Sequence, residues 1–254
     1  MLPYLHIFGI SIPSYGLCMA LGMILAFLYA YHTSKKYSFS FISLIIIAVC
    51  PIGFGLLGAK LLYILVTYDF SEVVRRTLAG DTSIIAGDGL VFYGGLIGGI
   101  IGLFIGLLIA KEKFHPVDKI VTPCVPLGHA FGRIGCFMAG CCYGVKYDGF
   151  LSVTFPLAGV TEPVLPVQLF EAVLNLIIFS LLILIRKRSR ISPLPVYFLM
   201  YSVVRFVLEF FRGDEIRGFA NGLYTSQWIS IGMFAAGAAA VSVHLIKSRR
   251  AKAA

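Results

Sequence analysis

Residues 89–110, GLVFYGGLIGGIIGLFIGLLIA, hold no charged side chain. A hydrocarbon core of ~30 Å takes ~20 consecutive helical residues to cross. This stretch is long enough and apolar enough to do so. Working outward in both directions, further runs of the same kind lie at 13–31, 42–66, 119–140, 166–185, 193–212 and 226–246. The fold class expected is an all-α, polytopic membrane protein with about seven transmembrane helices.

Composition agrees with that reading. Of 254 residues, 59% are hydrophobic and 13% charged, whereas a soluble globular domain carries about 25% charged residues. Seven spans with short loops leave room for one membrane domain over 1–254 and for no soluble one. The net charge of +9 would point to nucleic acid in a soluble chain. Here the basic residues concentrate in a few short loops, so no nucleic-acid partner is expected. No Lys or Arg precedes the first apolar run, so a cleaved signal peptide is not expected.

The loop charges alternate. One set holds Lys35, Lys36, Lys111, Lys113, Lys119, Arg186, Lys187, Arg188, Arg190, Lys247, Arg249, Arg250 and Lys252. The opposite set holds only Arg75, Arg76, Lys146 and Arg217. Cytoplasmic loops carry the excess of Lys and Arg. The first set is therefore assigned to the cytoplasm, with the N-terminus outside and the C-terminus cytoplasmic. The two longest loops, 67–88 and 141–165, then lie outside.

The third run has glycines at 94, 98, 102 and 106, with Gly95 and Gly99 beside them, and the second has Gly55 and Ala59 at the same spacing. Such a face lets another backbone approach closely. Helix packing accounts for most of these glycines.

Lys60, Arg133, Glu171 and Arg205 fall inside runs, and Glu209 lies one turn beyond Arg205. A charge at the bilayer centre costs at least ~2.5–3.5 kcal/mol, so such residues face the bundle interior and are functional candidates. Counting 1.5 Å per residue from the outer ends places the first four roughly 8–11 Å below the outer surface, with Glu209 nearer to it. Tyr15 and Tyr93 sit near the outer starts of spans 1 and 3. Two arginines and a lysine in one layer suit an anion, since the guanidinium fork matches phosphate oxygens. At that depth the anion is a phospholipid headgroup. The other reading is an internal ion-pair network, Arg205 with Glu209 and Arg133 with Glu171.

Three of six cysteines cluster at Cys136, Cys141 and Cys142. No CxxC pair or paired-His spacing accompanies them, so spacing lends a zinc site little support. On one helix Cys136 and Cys141 point to different faces, and they meet only if the helix ends between them. Packing of Cys136 in the bundle and a redox or metal role for the cluster both stand open.

Several stretches together resemble the bacterial prolipoprotein diacylglyceryl transferases. Gly132-Arg133-Ile134-Gly135-Cys136-Phe137 through Gly144 is similar to the signature GRxGNFxNxExxG, and residues 92–99, FYGGLIGG, to HGGLIGG. Pro13-Ser14-Tyr15-Gly16 matches a first-helix tyrosine motif, and residues 58–63, GAKLLY, resemble GARLxY. Residues 166–171, PVQLFE, resemble PSQLYE, and Tyr201 through Arg212 resembles YxxxRFxxEFFR. The departures are equally specific. Tyr93 stands for the histidine, Lys60 for the GARL arginine, Cys136 and Ala139 for both asparagines, and Cys141 for the acid. Arg133 and Arg205 match the two arginines held essential.

The resemblance implies transfer of the diacylglyceryl group of phosphatidylglycerol to the lipobox cysteine thiol of a prolipoprotein signal peptide. It places the protein in the bacterial inner membrane, its active site facing the outer leaflet among membrane lipids. It implies Arg133, Arg205 and Tyr93 as catalytic residues. Tyr15, Lys60, Gly94, Gly95, Gln168, Glu171, Tyr201 and Glu209 bind substrate on this reading, with no cofactor and no metal. The arginines would stabilise the departing phosphate and favour the thiolate of a thiol whose free pKa is ≈ 8.5. Tyr93, with an ordinary pKa ≈ 10, would orient the lipid or relay a proton, and the acyl chains would lie along the glycine-lined faces. The alternatives are a paralogous phospholipid-binding or transport protein, or altered thiol chemistry. No paired broken helices mark a transporter.

Overall fold

A computed structural model describes residues 3–7, 10–37, 39–80, 89–188, 191–213 and 218–253. Arg190, Arg217 and the 81–88 part of the second loop lie outside the described residues. The chain is mostly helical and separates into two compact units, residues 1–30 with 118–254, and residues 31–117.

The first strands, β1 (Tyr4–Ile7) and β2 (Ile10–Pro13), pair antiparallel and lead into α1 (Ser14–Ser34). A short 3-10 turn, Lys35–Tyr37, follows. Helix α2 (Phe41–Thr67) begins at Ser40, whose hydroxyl accepts the Ser43 N–H at 2.9 Å. This satisfies one of the helix's unpaired first donors. The short amphipathic α3 (Phe70–Leu78) precedes the long apolar α4 (Phe92–Ala110). Helix α4 stops at Lys111, which takes a left-handed conformation.

Within residues 31–117, α2 and α4 pack backbone to backbone. A side chain at Gly98 would run into the Phe54 carbonyl, and one at Gly102 would meet Phe54 Cβ at 2.8 Å. The glycine spacing thus does what it suggests, letting two helices approach as closely as backbones allow. It also corrects the expectation for the acyl chains: these glycine faces are filled by a helix.

Two helices, α5 (Phe114–Val121), which runs across the division at 117–118, and α6 (Cys124–Ala139), replace the single run expected at 119–140. The break falls at Thr122-Pro123. Proline lacks the N–H that a continuing helix needs, and it biases the preceding residue away from helical geometry. Helix α1 crosses α6 at glycines. A Cβ at Gly135 would lie 3.0 Å from Tyr15 Cδ2, and one at Gly22 would lie 2.7 Å from Phe131 Cβ. The hairpin β3 (Val153–Phe155) and β4 (Val160–Val164) leads to α7 (Val167–Arg188). Helix α8 (Pro193–Glu209) opens with Ser192 and Pro193, proline being pre-set for a first helical position. Ile178, Leu182 and Tyr197 form the core between α7 and α8. A small pair, β5 (Phe219–Ala220) and β6 (Leu223–Tyr224), precedes α9 (Thr225–Ala253).

Five helical stretches are long and apolar enough to cross a membrane: Ser14–Tyr37, Phe41–Thr67, Tyr93–Ala110, Val167–Lys187 and Thr225–Ser248. Their outward side chains include Ile42, Leu57, Leu65 and Leu108, each more than 60% exposed. Water would not tolerate so continuous an apolar surface. Helices α6 and α8, at 16 and 17 residues, span about 24–26 Å at 1.5 Å per residue. They are shorter than those five stretches, and they carry Arg133 and Arg205.

Asp118 is buried and accepts hydrogen bonds from the hydroxyls of Thr122 and Ser192. It ties the start of α8 to the α5–α6 break. Ser192 spends its hydroxyl on Asp118, and no side-chain cap bond closes α8.

Candidate functional site

Glu171 on α7 is the centre of a buried polar network. Only 1% of it is exposed. Its Oε2 lies 3.0 Å from Arg133 Nε on α6, and its Oε1 lies 3.5 Å from His129 Nε2, one turn earlier on the same helix. The Tyr201 hydroxyl on α8 donates to Glu171 Oε1 at 3.3 Å. The Tyr201 ring is 5.2 Å from the His129 ring and stacks on Tyr197 at 5.5 Å. Asn175 Nδ2 donates to the Glu171 carbonyl at 2.8 Å. Three helices thus converge on one carboxylate.

Arg205 makes a second pair, Nη2 to Glu209 Oε2 at 2.8 Å, along one face of α8. Its Nη1 is buried with no hydrogen-bond partner among the described residues. Burying a charge without a partner is costly, and truncating one member of such a pair costs about 3–5 kcal/mol. The internal ion-pair network is therefore real for both arginines. It leaves Arg205 with a donor that no acceptor takes among the described residues.

The signature's other end is fixed by backbone. Helix α6 ends at Gly140 with φ 75°. The Gly140 N–H bonds the Phe137 carbonyl and the Cys141 N–H bonds the Cys136 carbonyl, at 3.2 and 3.1 Å. This is the Schellman ending, which glycine alone adopts without penalty. It folds Cys141 back over Cys136. Gln168 Nε2 holds the Cys141 carbonyl at 2.7 Å. Gly144 then threads between Leu165 and Phe211, where a Cβ would lie 2.7 Å from one carbonyl oxygen and 2.8 Å from the other. Neighbouring Val145 donates to the Phe211 carbonyl at 2.9 Å. As a result the Sγ atoms of Cys136, Cys141 and Cys142 lie within 4.8 Å of one another. Cys141 is exposed and the other two are half-buried. Hydrogen bonds from the Cys136 and Cys141 thiols, with the Arg133 and Arg212 charges behind them, hold the Cys142 thiol below its usual range.

The expected site residues thus fall into two groups. Arg133, Arg205, Gln168, Glu171, Tyr201 and Glu209 belong to the unit just described. Tyr15 packs over Gly135 and is 43% exposed. Lys60, Tyr93, Gly94 and Gly95 belong to residues 31–117. There Lys60 Nζ lies 5.0 Å from the centre of the Tyr63 ring. Gly94 packs against Leu62 and the Gly58 backbone, and Gly95 against Ala59. Sequence reasoning missed His129. Its signal is an ionisable residue inside an apolar run, four positions before Arg133. The convergence of the three thiols is invisible in spacing, since it depends on how α6 ends.

Comparison with known proteins is consistent along the chain. The family model described as prolipoprotein diacylglyceryl transferase matches residues 3–243. A Clostridium perfringens protein named phosphatidylglycerol–prolipoprotein diacylglyceryl transferase 2 is 32% identical over 253 residues, 96% of each chain. Proteins named phosphatidylglycerol–prolipoprotein diacylglyceryl transferase from Clostridium tetani and Finegoldia magna are 36% and 30% identical, covering 89% and 91% of this chain and 90% of each relative. A match over nearly the whole length, running through both buried arginines and the glycine-framed signature, shows that the chain belongs to the prolipoprotein diacylglyceryl transferase family.

Proposed function

We propose that this protein transfers the diacylglyceryl group of phosphatidylglycerol to the lipobox cysteine thiol of prolipoproteins, the first step of bacterial lipoprotein maturation. The observation that carries the reading is Arg205, whose buried Nη1 has no partner among the described residues, in a chain of this family. A guanidinium with an unclaimed donor is suited to a phosphate oxygen.

The chemistry is displacement at a glycerol carbon. The acceptor thiol loses its proton to solvent, and its sulfur forms a C–S bond. The C–O bond to phosphate breaks, and the electron pair leaves with glycerol phosphate. Arg205 and Arg133 hold the phosphate and stabilise the charge that gathers on it, a role typically worth 10²–10³ in rate per donor. Glu171 takes the Nε edge of Arg133 and so orients the rest of the guanidinium. Tyr201 and His129 hold Glu171 in turn, and Glu209 does the same for Arg205. Gln168 fixes the loop after α6. Tyr15, Lys60 and Tyr93 contact the lipid or relay a proton, and Gly94 and Gly95 shape the backbone behind Tyr93.

In this reading 1–254 is one transferase domain in the inner membrane. The N-terminus lies outside, the C-terminus in the cytoplasm, and the site faces the outer leaflet. The short helices α6 and α8 complete seven spans. An apolar cavity of about 300 Å³ between α8 and α9, lined by Val203, Phe206, Val207, Ile231 and Phe234, is suited to an acyl chain. The test is complementation of a strain depleted of its own diacylglyceryl transferase. Growth and lipidated lipoprotein are expected with this chain and neither with its Arg205→Ala variant. A well-expressed chain that fails to restore lipidation overturns the reading.

A further inference from the structure

The geometry points to a zinc site that we assign to Cys136, Cys141 and Cys142, with three thiolate ligands from the chain and a fourth position open to an exogenous thiol.

Three observations carry it. First, the three Sγ atoms lie within 4.8 Å of one another. Tetrahedral zinc with Zn–S of ≈ 2.3 Å needs sulfur–sulfur edges of about 3.8 Å, a closure that side-chain rotation supplies. Second, the backbone is bent to bring in the third thiol. Cys142 has φ 60°, a left-handed conformation that costs a non-glycine residue roughly 1–2 kcal/mol. Such strain persists where the surroundings enforce it, and it gathers at functional sites. Third, the turn is clamped on both sides, by Gln168 on the Cys141 carbonyl and by the strand-like pairing of Gly144 with Arg212.

A disulfide explains this less well. It would use two sulfurs, and the adjacent Cys141 and Cys142 are poorly placed to bond each other. The strained turn at Cys142 is needed only if a third sulfur has a use. Thiolate donors select zinc among the common divalent ions. Three thiolates and one Zn²⁺ carry a net charge of −1. Arg133, one helical turn before Cys136 on α6, and Arg212, paired with Gly144, supply balancing positive charge. Closed structural zinc sites use four protein ligands, whereas three leave a position for a reactant. Cys141 is the exposed member, so the open position faces outward.

The choice of fourth ligand rests on the function proposed above, whose acceptor is a thiol. When that thiol binds, its S–H bond breaks, the proton goes to water and a Zn–S bond forms, with no change of oxidation state. A metal-bound thiol is deprotonated outright. On transfer a sulfur lone pair forms the C–S bond as the Zn–S bond and the glycerol C–O bond to phosphate break, the C–O electron pair leaving with glycerol phosphate.

The experiment uses the full chain in detergent, freed of metal by a chelator and titrated with Co²⁺. One equivalent per chain is expected, with thiolate-to-cobalt absorption in the near ultraviolet and tetrahedral bands in the visible, both bleached by Zn²⁺. Single Cys136→Ser, Cys141→Ser and Cys142→Ser variants should each weaken binding by about 100-fold or more. Because a serine variant can misfold, the wild-type protein supplies a second readout: Zn²⁺ should protect these three residues, and not Cys18, from alkylation as mapped by mass spectrometry. A lipobox peptide should shift the visible cobalt bands, and its Cys→Ser counterpart should not. Absence of thiolate–cobalt absorption in protein with its thiols reduced overturns the site, as does absorption that survives in the triple serine variant. Bands that ignore the cysteine peptide overturn the open position. A chain that binds cobalt as described but transfers no lipid would instead sink the proposed function and leave the metal site standing.

Discussion

Replacing Arg133 by lysine keeps the charge and removes the fork. A methylene then stands where Nε now faces Glu171 Oε2 at 3.0 Å, and the charge is concentrated on the ammonium one bond beyond it. This disturbs the ion pair that aims the guanidinium, and a fork hydrogen bond to a charged phosphate oxygen is worth about 1.5–3 kcal/mol. At 1.36 kcal/mol per factor of ten, its loss in the transition state slows turnover roughly 10- to 150-fold. Losing the planar fork on phosphate moves the result toward the upper end. The assay is transfer of radiolabelled diacylglyceryl from phosphatidylglycerol to a lipobox peptide, normalised to protein that elutes as a single folded species. Glu171→Gln should give a loss of similar size, since it leaves Arg133 unoriented. The double variant should fall short of the product of the two, because contacting residues do not act independently. Arg133→Lys turning over within twofold of the parent would refute direct phosphate recognition by this residue.

Three further outcomes are expected. Tyr93→Phe should lower turnover while leaving yield unchanged, whereas equal turnover would reduce Tyr93 to a packing role. Gly98→Leu should separate α2 from α4 at a cost of at least about 1–3 kcal/mol, read as a lower unfolding temperature in detergent. Gly53→Leu is its control, because no atom lies within 4 Å of a Cβ there, and similar losses in both would discredit the seam. Asp118→Ala removes the acceptor of two hydroxyls, each worth about 1.5–3 kcal/mol as a bond to a charged group; an unchanged unfolding temperature would show that the α5–α6 break is held by something else.

What could be read from the sequence follows from where the forces act. Apolar runs locate long helices because the bilayer rewards nothing else, and α1, α2, α4, α7 and α9 appear within a few residues of their expected limits, apart from the extended C-terminal end of α9. The run at 119–140 is misread because hydropathy does not register Pro123, whose missing N–H divides it. Arg205 with Glu209 is legible, being local, one helical turn apart. Arg133 with Glu171 is legible only once spans are assumed antiparallel. Gln168 on the Cys141 carbonyl joins residues 27 apart, and no local rule anticipates it. The thiol cluster is hidden for a different reason. Continuous helix would hold Cys136 and Cys141 apart, and only the positive φ of Gly140 and Cys142 brings them together.

That ending changes how the departures at Cys136 and Cys141 should be understood. Taken as separate positions, an asparagine and an acid have each been replaced by cysteine. The Schellman turn makes them neighbours, so the two replacements alter one place, and Cys142 joins them there. At that one place oxygen and nitrogen donors of the signature give way to sulfur donors. That place is mechanically continuous with the arginine network. Gln168 and Glu171 lie one turn apart on α7, the first holding the Cys141 carbonyl and the second holding Arg133 Nε. Arg133 in turn lies one turn before Cys136 on α6. The Arg133 guanidinium and the thiol cluster are therefore positioned by the same two helices. Any motion of α7 against α6 that alters one must alter the other.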